Sequence, residues 1–260
     1  MPGYGLIGFG RIGRRLAGLV PSPVVVLVRP AQVADAAEVV GREAVVTALD
    51  AFLARRPAIA IECASALALA AFGPALLASG TDLVPLSLTA LVDPAFERRL
   101  TEAAQAGPGR IEIAPGAIGT LDLLSTAREE RLHRVTYRQI KSPAMWQRTP
   151  AAGLLDLLAI GTRQVFYKGS VREVARHFPH NLNTSVGVAL AGLGLDRTEA
   201  ELIADPAVCE TGHELDIDAG PGNVQLRLGG RREAPDGDPA DYTAYSLARV
   251  LRRRLARVMI

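Results

Sequence analysis

The stretch YGLIGFGRIGRRLAGL, residues 4–19, decides the fold of the N-terminal half. A short apolar run precedes the pattern G-x-G-x-x-G, which Gly8, Gly10 and Gly13 form, and helix-forming residues follow it. The β-branched run VVVLV, residues 24–28, then completes a strand–helix–strand unit. In that context the glycines predict a dinucleotide-binding turn, because the start of the helix directs free backbone N–H groups at a pyrophosphate.

Each glycine has a separate task in such a turn. Gly8 permits the tight turn, Gly10 lets the pyrophosphate approach the backbone, and Gly13 lets the helix lie close to the sheet. We expect Arg11 and Ile12, which open the helix, to contact the cofactor as well. The alternative interpretation is a glycine-rich turn in some other α/β fold.

Two positions outside this turn complete the predicted cofactor site. NAD enzymes usually place an acid at the end of the second strand, but here VLVRP puts Arg29 in that position. A guanidinium suits the 2′-phosphate of NADP, so Arg29 favours NADP over NAD, unless it is a solvated surface residue. Ala64, in IECAS at the end of the third predicted strand, is expected to contact the cofactor too, with Cys63 packed nearby.

The rest of the chain predicts a two-domain α/β protein. Strands at 58–65, 82–88 and 110–116 alternate with helices, which indicates a Rossmann-type doubly wound parallel sheet. Further predicted helices lie at 31–40, 48–55, 66–79, 94–106, 116–131, 170–178, 185–195 and 242–258. Period-two segments at 133–140, 213–218 and 223–228 indicate a second, α+β domain with a mixed or antiparallel sheet.

The predicted domain boundaries follow from this change of pattern. Residues 1–116 together with 240–260 form the dinucleotide-binding domain, and residues 117–239 form the substrate, catalytic and dimerisation domain. The polar segment REAPDGDPAD, residues 232–241, is a predicted linker.

Composition narrows the class of protein. The net charge of +2 gives no strong electrostatic reason to expect a nucleic-acid or membrane partner. No run reaches the roughly 18 apolar residues that a membrane span needs. The chain has two cysteines and no secretory signal, so we expect a cytoplasmic protein without a disulfide framework. No cysteine or histidine spacing indicates a metal site.

One histidine stands out in the second half. In CETGHEL, residues 209–215, His213 begins a period-two segment that places it on the same face as Leu215 and Ile217. An inward histidine is either a packed core residue or an acid/base of an active site. If dinucleotide binding is accepted for the first domain, the second domain needs a group that handles protons, and this favours catalysis.

Other polar groups are candidates for substrate binding. Lys141, in RQIKSP, is a possible cation for a substrate carboxylate, the alternative being a solvated lysine on a strand edge. His180, Asn181 and Thr184 crowd a predicted helix start in HFPHNLNTS, where Asn183 or Thr184 is a possible N-cap.

The chain resembles the L-aspartate dehydrogenase family. The matching stretches are GLIGFGRIG, IECAS, IEIAPGAIGTLDLL, the HEL of CETGHEL, and the long run from VFYKGSVREVARHFPHNLN to LIADP. The resemblance implies that His213 is the active-site histidine and that Ala117 and Asn183 contact the dinucleotide. It also implies a homodimer and a reversible reaction of ammonia, oxaloacetate and reduced nicotinamide to L-aspartate, on a route toward NAD biosynthesis.

Two departures from the family pattern keep other functions open. Thr211 stands where the family usually has asparagine, and Thr89 where it usually has glycine. A related NADP-linked reductase or dehydrogenase of another 2-oxo or 2-imino acid is therefore an alternative. A non-catalytic dinucleotide-binding sensor is a further alternative.

Overall fold

The computed structural model describes residues 3–179, 182–229, 242–254 and 256–258. The chain divides into two compact units, Met1–Ala117 with Tyr242–Ile260, and Ile118–Asp241. The predicted linker 232–241 lies outside the described residues. Each unit is described by itself.

The first unit is built on a five-stranded parallel sheet. Its strands are β1 (Tyr4–Ile7), β2 (Val25–Leu27), β3 (Val45–Val46), β4 (Ile59–Glu62) and β5 (Asp82–Pro85). They lie in the order β3-β2-β1-β4-β5, and every neighbouring pair is parallel. The order reverses at β1, as in doubly wound nucleotide-binding folds, which confirms the predicted Rossmann-type sheet.

Burial explains why these strands are apolar without alternation. Every residue of β1 and β4 is buried, as expected for parallel strands that helices cover on both faces. The helices of this unit are α1 (Arg11–Ala17), α2 (Val33–Val40), α3 (Leu49–Ala54), α4 (Ala66–Ala78), α5 (Pro94–Ala106) and the C-terminal α10 (Thr243–Arg253). Leu16 of α1 and Leu247 of α10 share one core cluster with Leu6 and Ile61 of the sheet.

The predicted strand at 110–116 was wrong. That segment forms only an isolated bridge between Ile111 and Leu83, and the fifth strand is instead β3. Pro115 lacks an amide hydrogen and Gly116 takes a φ of +58°, so the pairing does not extend. With only two residues, β3 is too short to produce a recognisable period in the sequence.

The second unit contains a mixed five-stranded sheet. Its strands are β6 (Leu132–Lys141), β7 (Gln164–Ser170), β8 (Glu199–Ala204), β9 (Gly212–Ala219) and β10 (Gly222–Gly229). The order is β10-β9-β6-β8-β7; β6 and β8 pair in parallel and the other neighbours are antiparallel. This confirms the predicted mixed sheet, although β7 and β8 are not among the predicted strands.

The two faces of this sheet differ in chemistry. Tyr137 and Lys141 of β6 lie on one face with His213 and Leu215 of β9, because Tyr137 is opposite Leu215 and Gln139 is opposite His213. The other face carries ion pairs of Arg138 with Glu201 and Asp216, of Lys168 with Glu199 and Glu201, and of Glu214 with Arg163 and Arg227. We call this second surface the charged face.

The helices of the second unit are α6 (Leu121–Glu130), α7 (Pro143–Trp146), α8 (Val171–His177) and α9 (Asn183–Ala191). The helix predicted to begin at residue 116 starts later, because Gly116 and Gly119 have positive φ angles of 58° and 70°. Among the described residues, no helix is long and apolar enough to cross a membrane.

Candidate active site

The glycine turn of the first unit has the shape that a bound dinucleotide requires. Gly8 has a φ of +92°, and a Cβ added there would lie 2.8 Å from Ala64 Cα. A Cβ on Gly13 would lie 2.9 Å from the carbonyl oxygen of Gly8, so α1 can approach the turn only without one. At Gly10 an added Cβ meets no atom within 4 Å. Gly8 and Gly13 thus serve internal packing, whereas Gly10 faces open space from which a phosphate can approach.

A buried carboxylate fixes the turn that follows β4. Glu62 Oε1 accepts hydrogen bonds from the Ala64 and Ser65 amides at 2.8 and 2.9 Å and from Ser87 Oγ at 2.9 Å. Its Oε2 accepts the Ser87 amide at 3.0 Å. Burial raises the pKa of Glu62, and these four hydrogen bonds oppose that rise. The ends of β4 and β5 are thereby joined directly beneath Ala64, the residue that touches Gly8.

Cys63 lies beside the same turn as a packed thiol. Its Sγ is 3.3 Å from the carbonyl oxygen of Gly8 and 3.5 Å from that of Ile7. Burial raises the pKa of Cys63 to about 12, with a contribution from the charge of Glu62. The thiol is therefore protonated at neutral pH and serves as a small packing group.

Arg29 follows β2 at the same edge of the sheet as the glycine turn, since β1 and β2 are parallel. Its side chain is exposed, and Nε donates to Gln32 Oε1 at 3.3 Å. Arg11 and Ile12 begin α1, and Ala117 lies in the loop between Gly116 and Gly119. The open backbone at Gly10 and the guanidinium of Arg29, at the same edge of the sheet, fit the phosphates of a dinucleotide.

The second unit brings two candidate residues together around a buried tyrosine. Tyr137 is fully buried, and its hydroxyl lies 2.7 Å from His213 Nδ1. The Thr184 side chain forms a second hydrogen bond to the same hydroxyl. Burial raises the pKa of Tyr137 strongly, so the phenol stays protonated at neutral pH. Thr184 and His213, from segments far apart in the sequence, are thus joined through Tyr137.

Lys141 is not a solvated lysine on a strand edge. It ends β6, the central strand of the sheet, and its Nζ lies 4.8 Å from the centre of the Trp146 ring. Burial lowers the pKa of Lys141. A partly buried ammonium on the face that carries His213 is suited to a carboxylate.

The environment of His213 keeps its ring neutral. Burial lowers the pKa of His213 to about 4, and the nearby positive charge of Lys141 contributes to the shift. The ring is therefore uncharged at pH 7, where a histidine with an unshifted pKa would still be partly protonated. Its Nε2 has no hydrogen-bond partner among the residues that the structure describes.

The remaining predicted residues are placed as follows. Asn183 is the exposed first residue of α9, whose N-cap is Leu182, so neither Asn183 nor Thr184 is the cap. His180 and Asn181 lie outside the described residues. Within the described ranges, no group of three or more histidine, cysteine, aspartate or glutamate residues is placed to hold a metal ion.

Two residues of these sites were not found from the sequence. Tyr137 carried a signal, since it lies in a period-two segment four residues before Lys141 and so faces the same way. Glu62 also carried a signal, since it is an acid at the end of the otherwise apolar, buried strand IAIE. Neither signal indicates Ser87 as a partner of Glu62 or His213 as a partner of Tyr137, because both come from distant segments.

Comparison with known proteins assigns the chain to a family. Residues 122–254 match the family described as aspartate dehydrogenase, C-terminal, and residues 8–114 match the NAD binding domain of homoserine dehydrogenase. The L-aspartate dehydrogenase of Serratia proteamaculans is 36% identical over 251 residues, which is 95% of each chain. The chain belongs to the L-aspartate dehydrogenase family. The L-aspartate dehydrogenase of Pseudomonas aeruginosa is 40% identical over 196 residues, which is 75% of this chain and 73% of its own length.

A solved structure supports the fold of this L-aspartate dehydrogenase family member. The aspartate dehydrogenase of Thermotoga maritima superposes with a TM-score of 0.75 over 100% of this chain and 99% of its own, at 22% identity. The predicted family, an oxidoreductase with a nicotinamide dinucleotide cofactor, is confirmed.

We predict that Glu62→Gln loosens the turn at Ala64. The amide nitrogen of glutamine cannot accept the Ser87 N–H, so a partly buried donor loses its partner, which costs about 1–3 kcal/mol of stability. Urea unfolding measures this loss, and fluorescence titration with NADH and NADPH should show weaker binding. As a control, Ser87→Ala removes only the side-chain hydrogen bond and should cost about 1 kcal/mol. Equal stability and cofactor affinity in Glu62→Gln and wild type would contradict this role.

We also predict that acid destabilises the fold through His213. The folded protein resists protonation of this ring down to about pH 4, whereas the unfolded chain takes up the proton near pH 6.5. Between these values the unfolded state binds more protons, so the free energy of unfolding decreases as the pH falls. Between pH 6.5 and pH 4, the free energy of unfolding of the wild type should decrease by up to about 3 kcal/mol more than that of His213→Gln.

Urea unfolding at a series of pH values measures this difference. The control is His133→Gln, which replaces an exposed histidine and should retain the wild-type slope. An NMR titration of His213 with a midpoint near 6.5 would show the predicted shift to be wrong.

Proposed function

We propose that this chain is an NAD(P)-dependent L-aspartate dehydrogenase. The reaction is oxaloacetate + NH₃ + NAD(P)H + H⁺ ⇌ L-aspartate + NAD(P)⁺ + H₂O, through iminoaspartate. The observation that carries the proposal is the inward His213 of the HEL motif, held by Tyr137 on the sheet face that also bears Lys141. The relatives at 36% and 40% identity, both named L-aspartate dehydrogenase, support this substrate.

The cofactor roles rest on the glycine turn. Gly8, Gly10 and Gly13, with Arg11, Ile12 and Ala64, would hold the pyrophosphate side of the dinucleotide, and Ala117 and Asn183 would add further contacts. Arg29 would bind a 2′-phosphate, which favours NADP. When bound, the nicotinamide supplies the hydride that reduces the imine carbon.

The substrate roles rest on the second unit. Lys141 would bind a carboxylate of the dicarboxylic acid, and Thr184, with His180 and Asn181, would line the same site. His213 is the proposed catalytic residue. Two roles suit its position: it activates water against the iminium carbon in the oxidative direction, or it donates a hydrogen bond to the substrate.

The domain roles and the assembly are also part of the proposal. Residues 1–116 with 240–260 would bind the dinucleotide, and residues 117–239 would supply substrate binding, catalysis and dimerisation. The charged face, with its alternating acids and bases, is our candidate surface for the homodimer, since a two-fold axis can pair opposite charges across it. A cytoplasmic location stays a prediction.

The proposal is tested by steady-state kinetics on a panel of 2-oxo acids with ammonia and either NADH or NADPH. Oxaloacetate should be the preferred acid, and L-aspartate should be oxidised in the reverse direction. Replacing His213 by alanine should lower kcat/KM at least about 100-fold, the usual minimum for loss of an acid/base or polarising group. The exposed His133→Ala is the control.

Two other outcomes identify the alternatives. Turnover of a different 2-oxo acid, with none of oxaloacetate, would favour a related reductase, and Thr211, two residues before His213, would then be the first position to change. Cofactor binding without turnover of any acid would favour a dinucleotide sensor.

The role of Arg29 predicts the cofactor preference. Arg29→Ser should raise the KM for NADPH about 10- to 100-fold, since a hydrogen bond to a charged group contributes about 1.5–3 kcal/mol. The KM for NADH should change little, because NADH lacks the 2′-phosphate. The exposed Arg98→Ser on α5 controls for the loss of positive charge elsewhere on the unit. A wild-type preference for NADH would contradict the proposed role.

A further inference from the structure

The hydrogen bonds around Tyr137 have a defined direction. The phenol has a single hydrogen to donate and two neighbours, His213 Nδ1 at 2.7 Å and the Thr184 hydroxyl. The phenol is the most acidic donor of the three groups, and a neutral imidazole nitrogen is the most basic acceptor. The favoured arrangement is therefore Thr184 O–H to the phenol oxygen and Tyr137 O–H to Nδ1, since a hydrogen bond strengthens with donor acidity and acceptor basicity.

This direction fixes the tautomer of the histidine. A neutral imidazole carries one hydrogen, so if Nδ1 accepts from Tyr137, the hydrogen must be on Nε2. Tyr137 cannot turn away, because it is fully buried on β6 and lies diagonally across from His213 on β9.

We propose that Tyr137 is a positioning residue that holds His213 in the Nε2–H tautomer, so that His213 serves as a neutral hydrogen-bond donor to an anionic oxygen of the substrate. This inference rests on the proposed function and decides between the two roles left open above. With its hydrogen on Nε2, the ring cannot accept a proton from water at that atom, and its other nitrogen is already bound to Tyr137.

The surroundings of His213 suit a donor better than a base. Lys141 on the same face disfavours a second positive charge at the ring, and an imidazolium would form on each turnover if His213 accepted a proton. A neutral imidazole can instead polarise a carbonyl or bind a carboxylate without changing its charge. Lys141 and His213 would then bind oxygens of one dicarboxylic acid, the first as a cation and the second as a neutral donor.

Nitrogen NMR of protein labelled with ¹⁵N-histidine tests the tautomer without any turnover. Wild type should show the Nε2–H form for His213, assigned by the loss of its signals in His213→Gln. In Tyr137→Phe the Nδ1–H form should appear as well. Tyr167→Phe is the matched control, since Tyr167 lies in the same unit and its ring contacts His177 rather than His213. A dominant Nδ1–H form in wild type would overturn the inference.

Replacement of His213 tests the donor role by activity. Glutamine places an amide N–H near the position of Nε2 but cannot act as a base, whereas asparagine is too short to reach it. His213→Gln should keep kcat/KM within about tenfold of wild type, whereas His213→Asn and His213→Ala should lose about 100-fold or more, as expected for a missing polarising donor. Tyr137→Phe should lower kcat about 10- to 100-fold, the range typical of outer hydrogen bonds that orient an active histidine.

The outcomes separate this inference from the proposed function. If His213→Gln is folded and as inactive as His213→Ala, His213 is a base and the inference is wrong. If wild type turns over neither oxaloacetate nor aspartate, the proposed function fails, and the NMR spectrum still decides the tautomer. Should Tyr137→Phe not fold, the wild-type spectrum and the glutamine variant remain decisive.

Discussion

Close contact between two turns, Gly8 after β1 and Ala64 after β4, is the constraint on which the first unit depends. Both strands end at the same edge of a parallel sheet, so the turns that follow them lie close enough for steric contact. Gly8 resolves this by having no Cβ, and Glu62 holds the other turn in place through the amides of Ala64 and Ser65. The outer side of the glycine turn then remains open at Gly10, where a pyrophosphate needs the backbone. The shape of the cofactor site is therefore a consequence of packing beneath it.

The second unit depends on a different constraint, a series of hydrogen-bonded polar side chains inside an apolar layer. Tyr137 is buried, and a buried hydroxyl needs hydrogen-bond partners. It finds them in Thr184 and His213, so one tyrosine ties α9 to the strand that carries the histidine. The opposite face of the sheet holds ion pairs, and period-two alternation keeps the two chemistries apart. The histidine is thus oriented by the same contacts that fill the core.

Much of this fold follows from sequence patterns, and the failures have physical causes. The parallel strands β1 and β4, the helix Pro94–Ala106 and the hairpin of β9 and β10 were predicted, since burial or turn residues mark them locally. The short β3 was missed because two residues carry no period, and residues 110–116 were wrongly predicted because they pair with β5 only through the single bridge of Ile111 to Leu83. His213 was found by its alternation and by family resemblance. Tyr137, in contrast, contacts His213 from 76 residues away, and Glu62 joins its own turn to Ser87, 25 residues away. Sequence patterns show periodicity well, but contacts between distant segments poorly.

The sheet face that carries His213 gathers two groups capable of positive charge in a site that disfavours charge. Burial lowers the pKa of both Lys141 and His213, and the charge of Lys141 adds to the shift at the histidine. A carboxylate beside Lys141 would favour the charged form of this lysine, whereas a cationic ligand would disfavour it. With the proposed donation from Tyr137 to Nδ1, the other ring nitrogen would donate to a second carboxylate oxygen without the ring becoming charged. In the proposed site one cation and one neutral donor would meet an acid with two anionic ends, and a dicarboxylic substrate would suit a face on which burial disfavours charge.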